Sequence, residues 1–162
     1  MKTQTLHWRK LAGHQVRRPI EEEIRQAIAR EHDAGYRLKA CIGTDSQVKG
    51  KQIECATVIV LLREGRGGFM YIHKEVLSQT MSLKERMLHE VARSVEVAYS
   101  LCAVFNEFDV AMEVHADINT DPGFKSHVAL KDAMGYITGM GFAFRAKPHA
   151  FASTSCANKI VH

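Results

Sequence analysis

The chain has 162 residues, 46% hydrophobic and 25% charged, which suits one soluble globular domain with a full core. No apolar run is long enough for a transmembrane helix, and the basic start Met1–Lys10 lacks the apolar stretch of a secretory signal, so a cytoplasmic protein with no membrane partner is expected. A formal charge of +4 permits an anionic partner without demanding one, and Arg9-Lys10 and Arg17-Arg18 read first as solvated basic faces and second as phosphate contacts.

Residues 1–18 read as an N-terminal extension and 19–162 as a single domain. Pro19 to Ala34 is a predicted helix: proline suits the first position, Glu21, Glu22 and Glu23 suit the positive end, and Ile20, Ile24, Ala27 and Ile28 share a face before Gly35 stops it. Leu38 to Asp45 is a strand by composition. Val48 to Gln52 supplies a turn, and Ile53 to Arg63 and Phe69 to Leu77 are two further strands joined by the glycine-rich turn Glu64 to Gly68. These three strands form an antiparallel meander whose third strand leaves an exposed edge.

Ser82-Leu83-Lys84-Glu85 is a capping box opening the longest helix, to about Phe105, with Leu83, Met87, Val91, Val95, Ala98 and Cys102 as its buried stripe. Asp109 to Asp117 is a fourth strand, and Asp121-Pro122-Gly123 breaks the chain. Ser126 to Thr138 is a helix with Val128, Leu130, Met134 and Ile137 apolar, Phe142 to Lys147 a fifth strand, and Ser153-Thr154-Ser155 caps a last short helix through Val161. The late strand-helix-strand order implies a parallel pair with a right-handed crossover. The expected fold is α/β: a five-stranded mixed sheet, three strands antiparallel and two parallel, flanked by helices, with an extra helix at its N-terminal side.

Cys41, Cys55, Cys102 and Cys156 form no C-x-x-C pair and read as reduced. His89-Glu90-Val91-Ala92-Arg93 opens like a zinc-binding H-E-x-x-H helix but has Arg93 where the second histidine must stand, so that match fails.

Two aspartates carry the chemistry. Asp45 ends the run Lys39 to Asp45, and Asp117 ends Glu113 to Asp117. If their strands lie side by side, the carboxylates converge and bind a hard divalent cation through oxygen. Each alone also fits a turn-forming aspartate at a strand end.

The motifs Ile42-Gly43-Thr44-Asp45-Ser46-Gln47 and Val114-His115-Ala116-Asp117-Ile118-Asn119, with Lys147-Pro148 and Ala152-Ser153, resemble the bacterial YkuK-like ribonuclease H-like family, as does the order of elements. The resemblance implies four metal-ligand positions. Asp45 matches the first and Asp117 the third. The second is a glutamate on the long helix, where Glu85 and Glu90 compete. Glu85 already serves the capping box, whereas Glu90 lies about 60° from the stripe centre at Met87, at roughly 100° per residue, so Glu90 is preferred. The fourth position is acidic in the family, and this chain offers Asn158, which keeps the shape and loses the charge.

The resemblance thus implies a nuclease dependent on Mg²⁺ or Mn²⁺, hydrolysing phosphodiester bonds of RNA or another nucleic acid. From the residues themselves, Lys147 is a candidate phosphate contact, and His149 reads first as structural and second as an accessory proton carrier. Lone histidines such as His115 read as structural. Asn158 keeps a rival open: a binding module for nucleic acid or protein that retains the fold with weakened or lost catalysis. A nucleotide hydrolase is remote, because no G-x-x-x-x-G-K-[ST] loop is present.

Overall fold

The computed structural model of the chain describes residues 7–119, 130–147 and 149–162. Its frame is one mixed sheet of six strands in the order β1-β4-β3-β2-β5-β6. The strands are β1 (Arg9–Lys10), β2 (Leu38–Lys49), β3 (Gln52–Arg63), β4 (Gly68–Leu77), β5 (Ala111–Asn119) and β6 (Ala143–Lys147). The meander β2-β3-β4 is antiparallel, and β5 and β6 add in parallel beyond β2.

The sixth strand corrects the expected five. β1 comes from the N-terminal extension and pairs Arg9 with Ile72 and Lys10 with Tyr71, so the β4 edge predicted to be exposed is covered at its middle. A two-residue strand has no alternation to betray it. Its anchor is Trp8, the chain's one tryptophan, buried with its ring 5.6 Å from that of His73 on β4.

Three helices, α1 (Ile20–Asp33), α2 (Leu83–Glu107) and α3 (Leu130–Gly139), contribute to one apolar core through Ile24, Ile28, Val91, Val95, Leu101 and Ile137. The α2 stripe differs from expectation: Leu83 is exposed, Cys102 is half-buried, and Glu90 and Ser94 are buried among the apolar residues. Met134 of α3 is exposed while Ala133 takes the buried position. Residues 120–129, with the Asp121-Pro122-Gly123 break, the expected helix start at Ser126 and Val128, lie outside the described residues.

The opposite face carries the C-terminal segment, a π-helical stretch Ala152–Ala157 running into α4 (Asn158–Val161). Ser153 and Thr154 do not cap it, as the sequence suggested. Both hydroxyls donate back to Ala150 O, at 3.1 and 3.0 Å, and the helical turn begins at Phe151. Hydroxyls inside a first turn often satisfy a preceding carbonyl in this way, which competes with capping.

Gly43 sets how closely this segment lies on the sheet. A Cβ there would stand 2.5 Å from Ser153 N and 2.7 Å from Ala152 C, both backbone atoms that cannot swing aside. His115 supplies a second pin: its Nδ1 accepts from Ala152 N–H at 3.2 Å while Nε2 faces Glu113 Oε1 at 3.2 Å. That pattern puts the ring proton on Nε2, and burial holds the imidazole below its usual pKa. The histidine is structural, as the sequence suggested.

Gly43→Ala is therefore expected to destabilise the protein by about 1–3 kcal/mol through overpacking, with amide exchange rising first in 150–161. Gly135→Ala, where nothing lies within 4 Å, should be neutral or stabilising by up to about 1 kcal/mol in its helix. Chemical denaturation of both variants beside the parent checks the pair.

Candidate metal centre

Alternation along β2 sorts its side chains between the two faces. Thr44 Oγ1 lies 2.7 Å from Ser94 Oγ on α2 and 3.0 Å from Thr57 Oγ1, so even-numbered residues face the helical layer. Odd-numbered residues, Gly43 and Asp45 among them, face the C-terminal segment. On β5, His115 faces the same segment, and Asp117 follows it by two. The parallel register pairs Cys41 with Glu113 and Gly43 with His115. Two residues further along both strands stand Asp45 and Asp117, on one face and on neighbouring strands.

The β2–β5 ladder stops at Gly43↔His115, whereas β2 stays paired with β3 to Lys49↔Gln52 and β5 regains β6 at Asn119↔Lys147. Asp45 therefore does not end its strand, as the sequence suggested. It stands mid-hairpin towards β3 and just past the last pair towards β5. Where the carboxyl ends of neighbouring strands part, side chains meet in a notch, the usual place for a site in a parallel sheet.

Glu90 enters from the other face. It is buried on α2, and Ser46 Oγ donates to its Oε1 at 2.5 Å. Glu85 is exposed, and only its backbone N–H meets the Ser82 hydroxyl, at 3.1 Å. Of the two competing glutamates, Glu90 is the buried one, and both aspartates act on it.

Crowding of like charge away from water has the expected electrostatic result. Burial is the largest influence raising the Asp45 carboxyl to about 6, with Asp117 adding to it and the Asn158 hydrogen bond opposing it. Burial pushes Glu90 well above the ordinary carboxylate range, and Asp45 and Asp117 add to that.

The chain's own groups soften this field. Asn158 Nδ2 donates to Asp45 Oδ2 at 2.8 Å, and His162 Nε2 lies 3.7 Å from the same oxygen. His162 was not singled out from the sequence, although it stands four residues after Asn158 and so on the same helix face. Lys147 Nζ lies 2.7 Å from Asp117 Oδ1, yet that buried oxygen accepts no well-directed hydrogen bond; proximity gives an ion pair without satisfying the acceptor. Gln47 Oε1, on the same face of β2 as Asp45, is also buried without a donor. His149 is exposed, and among the described residues its side chain makes no hydrogen bond to the carboxylates.

Buried like charges and orphaned acceptor oxygens fit a hard divalent cation better than they fit one another. The arrangement is not tightly preformed. Among the described residues, the three-donor groups with atoms within 4.8 Å of one another are Cys41-Glu113-His115 and Cys55-Glu75-His89, not the carboxylate trio. Approach from two faces accounts for the spread, Glu90 meeting Ser46 on one and Asp45 meeting Asn158 on the other.

Because the native Asp45 carboxyl binds its proton more tightly than an unfolded one, whose pKa is about 3.9, stability falls as pH rises from 4 to 6. Asp45→Asn should reduce the loss between pH 4.5 and 7 by about 1–2 kcal/mol, measured by urea unfolding without divalent ions. An unchanged pH slope would contradict the buried-charge description.

Among the described residues no helix is long and apolar enough to cross a membrane. The chain is 27% identical over 154 residues to the protein named "Uncharacterized protein YkuK" of Bacillus subtilis (strain 168), covering 86% of this chain and 87% of that one. No solved structure gives a significant match. The family described as "Ribonuclease H-like" matches residues 19–162, the span holding the meander, the two parallel strands and every carboxylate of the notch. By that match the chain belongs to the ribonuclease H-like family.

Proposed function

We propose that the protein is a divalent-metal-dependent nuclease that hydrolyses phosphodiester bonds of RNA or another nucleic acid. Family membership supports a nuclease fold that acts on nucleic acid. The observation that carries the finer reading is the pair of buried carboxyls, Asp45 and Glu90, both raised in pKa by burial with the charge of Asp117 adding to each. Keeping such charges together is a standing destabilisation, and carboxyls perturbed in this way cluster at functional sites.

Asp45, Glu90 and Asp117 would hold Mg²⁺ or Mn²⁺, with Asn158 offering a neutral amide oxygen. When bound, the cation supplies charge stabilisation at the phosphate and acidifies a water nucleophile. Ser46 donates its hydroxyl to Glu90 Oε1, which restrains the rotation of that carboxylate. Lys147, half-exposed beside Asp117, is placed to exchange its carboxylate for an incoming phosphate oxygen. His162, 3.7 Å from Asp45 Oδ2, is a candidate proton carrier, and the exposed His149 is a second.

One feature favours the rival reading of a weakened binding module. Asn158 presents its amide N–H to Asp45, and Lys147 presents an ammonium to Asp117, so internal donors occupy two of the carboxylates.

Cleavage of single-stranded RNA, RNA–DNA hybrid and branched DNA, each with Mg²⁺ and with Mn²⁺, distinguishes the two. Activity on at least one substrate is expected, lowered at least about 100-fold by Asp45→Asn. No cleavage under any of these conditions would leave the binding module. Asn158→Asp is expected to lower thermal stability without divalent ions at pH 7, by adding a like charge beside Asp45, and to tighten Mn²⁺ binding and raise any nuclease rate. Calorimetry showing unchanged or weaker Mn²⁺ binding would remove residue 158 from the ligand set.

A further inference from the structure

Next to the notch, β3, β4 and α2 assemble a chemically different set of donors. A thiol sulfur of Cys55, a carboxylate oxygen of Glu75 and an imidazole nitrogen of His89 lie within 4.8 Å of one another. Cys55 and Glu75 are direct partners across the β3–β4 ladder. They share the face of Thr57, whose hydroxyl meets the Thr44–Ser94 pair on the α2 side. His89 Nε2 comes down from α2 to 3.4 Å from Glu75 Oε1. One turn later Arg93 grips the same carboxylate, with Nε 3.1 Å from Oε1 and Nη2 2.9 Å from Oε2. The interrupted H-E-x-x-H pattern thus acquires a meaning: positions 89 and 93 both point at Glu75, and the remaining donor comes from β3 rather than from the helix.

We infer that Cys55, Glu75 and His89 form a binding site for a borderline divalent cation, zinc foremost, separate from the all-oxygen notch. Sulfur, nitrogen and oxygen donors together are the ligand chemistry of zinc rather than of magnesium. Zinc–sulfur and zinc–nitrogen bonds of about 2.3 and 2.0 Å put neighbouring donors about 3.3–3.8 Å apart, so side-chain rotation closes the group. The His89 and Glu75 side chains are 24% and 18% exposed, which gives an entry path and leaves a fourth position for water. Arg93 can stay on Oε2 and orient the carboxylate from outside, as second-layer partners of metal ligands commonly do. Its positive charge also opposes the cation, so the affinity expected is below that of a multi-cysteine zinc site.

The other compact group, Cys41-Glu113-His115, does not share these features. It is fully buried, both nitrogens of His115 are engaged, and Glu113 is held by Lys39 and Arg145. Binding at Cys55 breaks its S–H bond, forms a sulfur–metal bond and releases the proton to solvent, with no change of oxidation state. Position gives the site a role. His89 precedes Glu90, and Cys55 pairs across the β2–β3 ladder with Ser46, the donor to Glu90. A cation here would fix the turn of α2 that aims Glu90 at the notch.

The test is a Co²⁺ titration of the reduced, chelator-stripped full-length protein in excess Mg²⁺. A thiolate-to-cobalt charge-transfer band saturating near one equivalent is expected. Cys55→Ser should abolish the band and His89→Ala should weaken binding at least about tenfold, while Cys41→Ser and Asp45→Asn leave it intact. No band in the parent, a band surviving Cys55→Ser, or a band lost in Cys41→Ser overturns the assignment. Should Cys55→Ser misfold by circular dichroism, unchanged cobalt affinity in His89→Ala overturns it alone.

Discussion

A missing side chain decides how the sheet presents its acidic residues. With only hydrogen at Gly43, the backbone of Ala152 and Ser153 rests directly on β2. That contact lowers the whole C-terminal segment towards the sheet and brings Asn158 within hydrogen-bond distance of Asp45. His115 holds the same segment from β5, so the two strands that bear the aspartates are also the two that anchor the element above them. Fold and site are therefore not separable here. A disturbance at Gly43 moves the groups that temper the Asp45 charge as well as the packing.

Burying Asp45 and Glu90 beside Asp117 works against stability, and the surroundings compensate in a graded way. A hydroxyl serves Glu90, an amide serves Asp45, and an ammonium serves Asp117. None of these is a buried, fully matched ion pair of the kind that makes an inert internal network. The partners are neutral or sit at the solvent edge, where incoming groups can replace them. Elsewhere the fold uses firmer devices, such as the two-bond Arg63–Glu31 pair between β3 and α1. The contrast separates acidic residues that brace the structure from those that strain it.

The sequence made most of the architecture legible because the long elements repeat their pattern. The five strands beyond β1 alternate or run apolar for five residues or more, and α2 shows a helical stripe with a cap. What stayed hidden was short or polar. β1 has two residues and no period. The strand was expected to stop at Asp45 and a turn to run from Val48 to Gln52, yet hairpin pairing to β3 carries β2 on to Lys49. Ser153 and Thr154 looked like caps of the last helix and instead bond backwards to one carbonyl. For the notch, helical phase was enough to prefer Glu90 over Glu85, whereas the meeting of Asp45 and Asp117 hung on strand adjacency, which the parallel β2–β5 register supplies. The Cys55-Glu75-His89 group was invisible because its members come from three elements with no shared spacing, and only the ladder register brings them together.

The seat of Trp8 against His73 gives the protein a native optical probe. Since no other indole is present, intrinsic fluorescence reports on the docking of the N-terminal clip and on little else. Peeling of β1 would register as a change in emission before the core melts, and would uncover the middle of β4 as a free template for another chain. Emission and sedimentation followed together would then show whether loosening of that clip is the first step towards self-association.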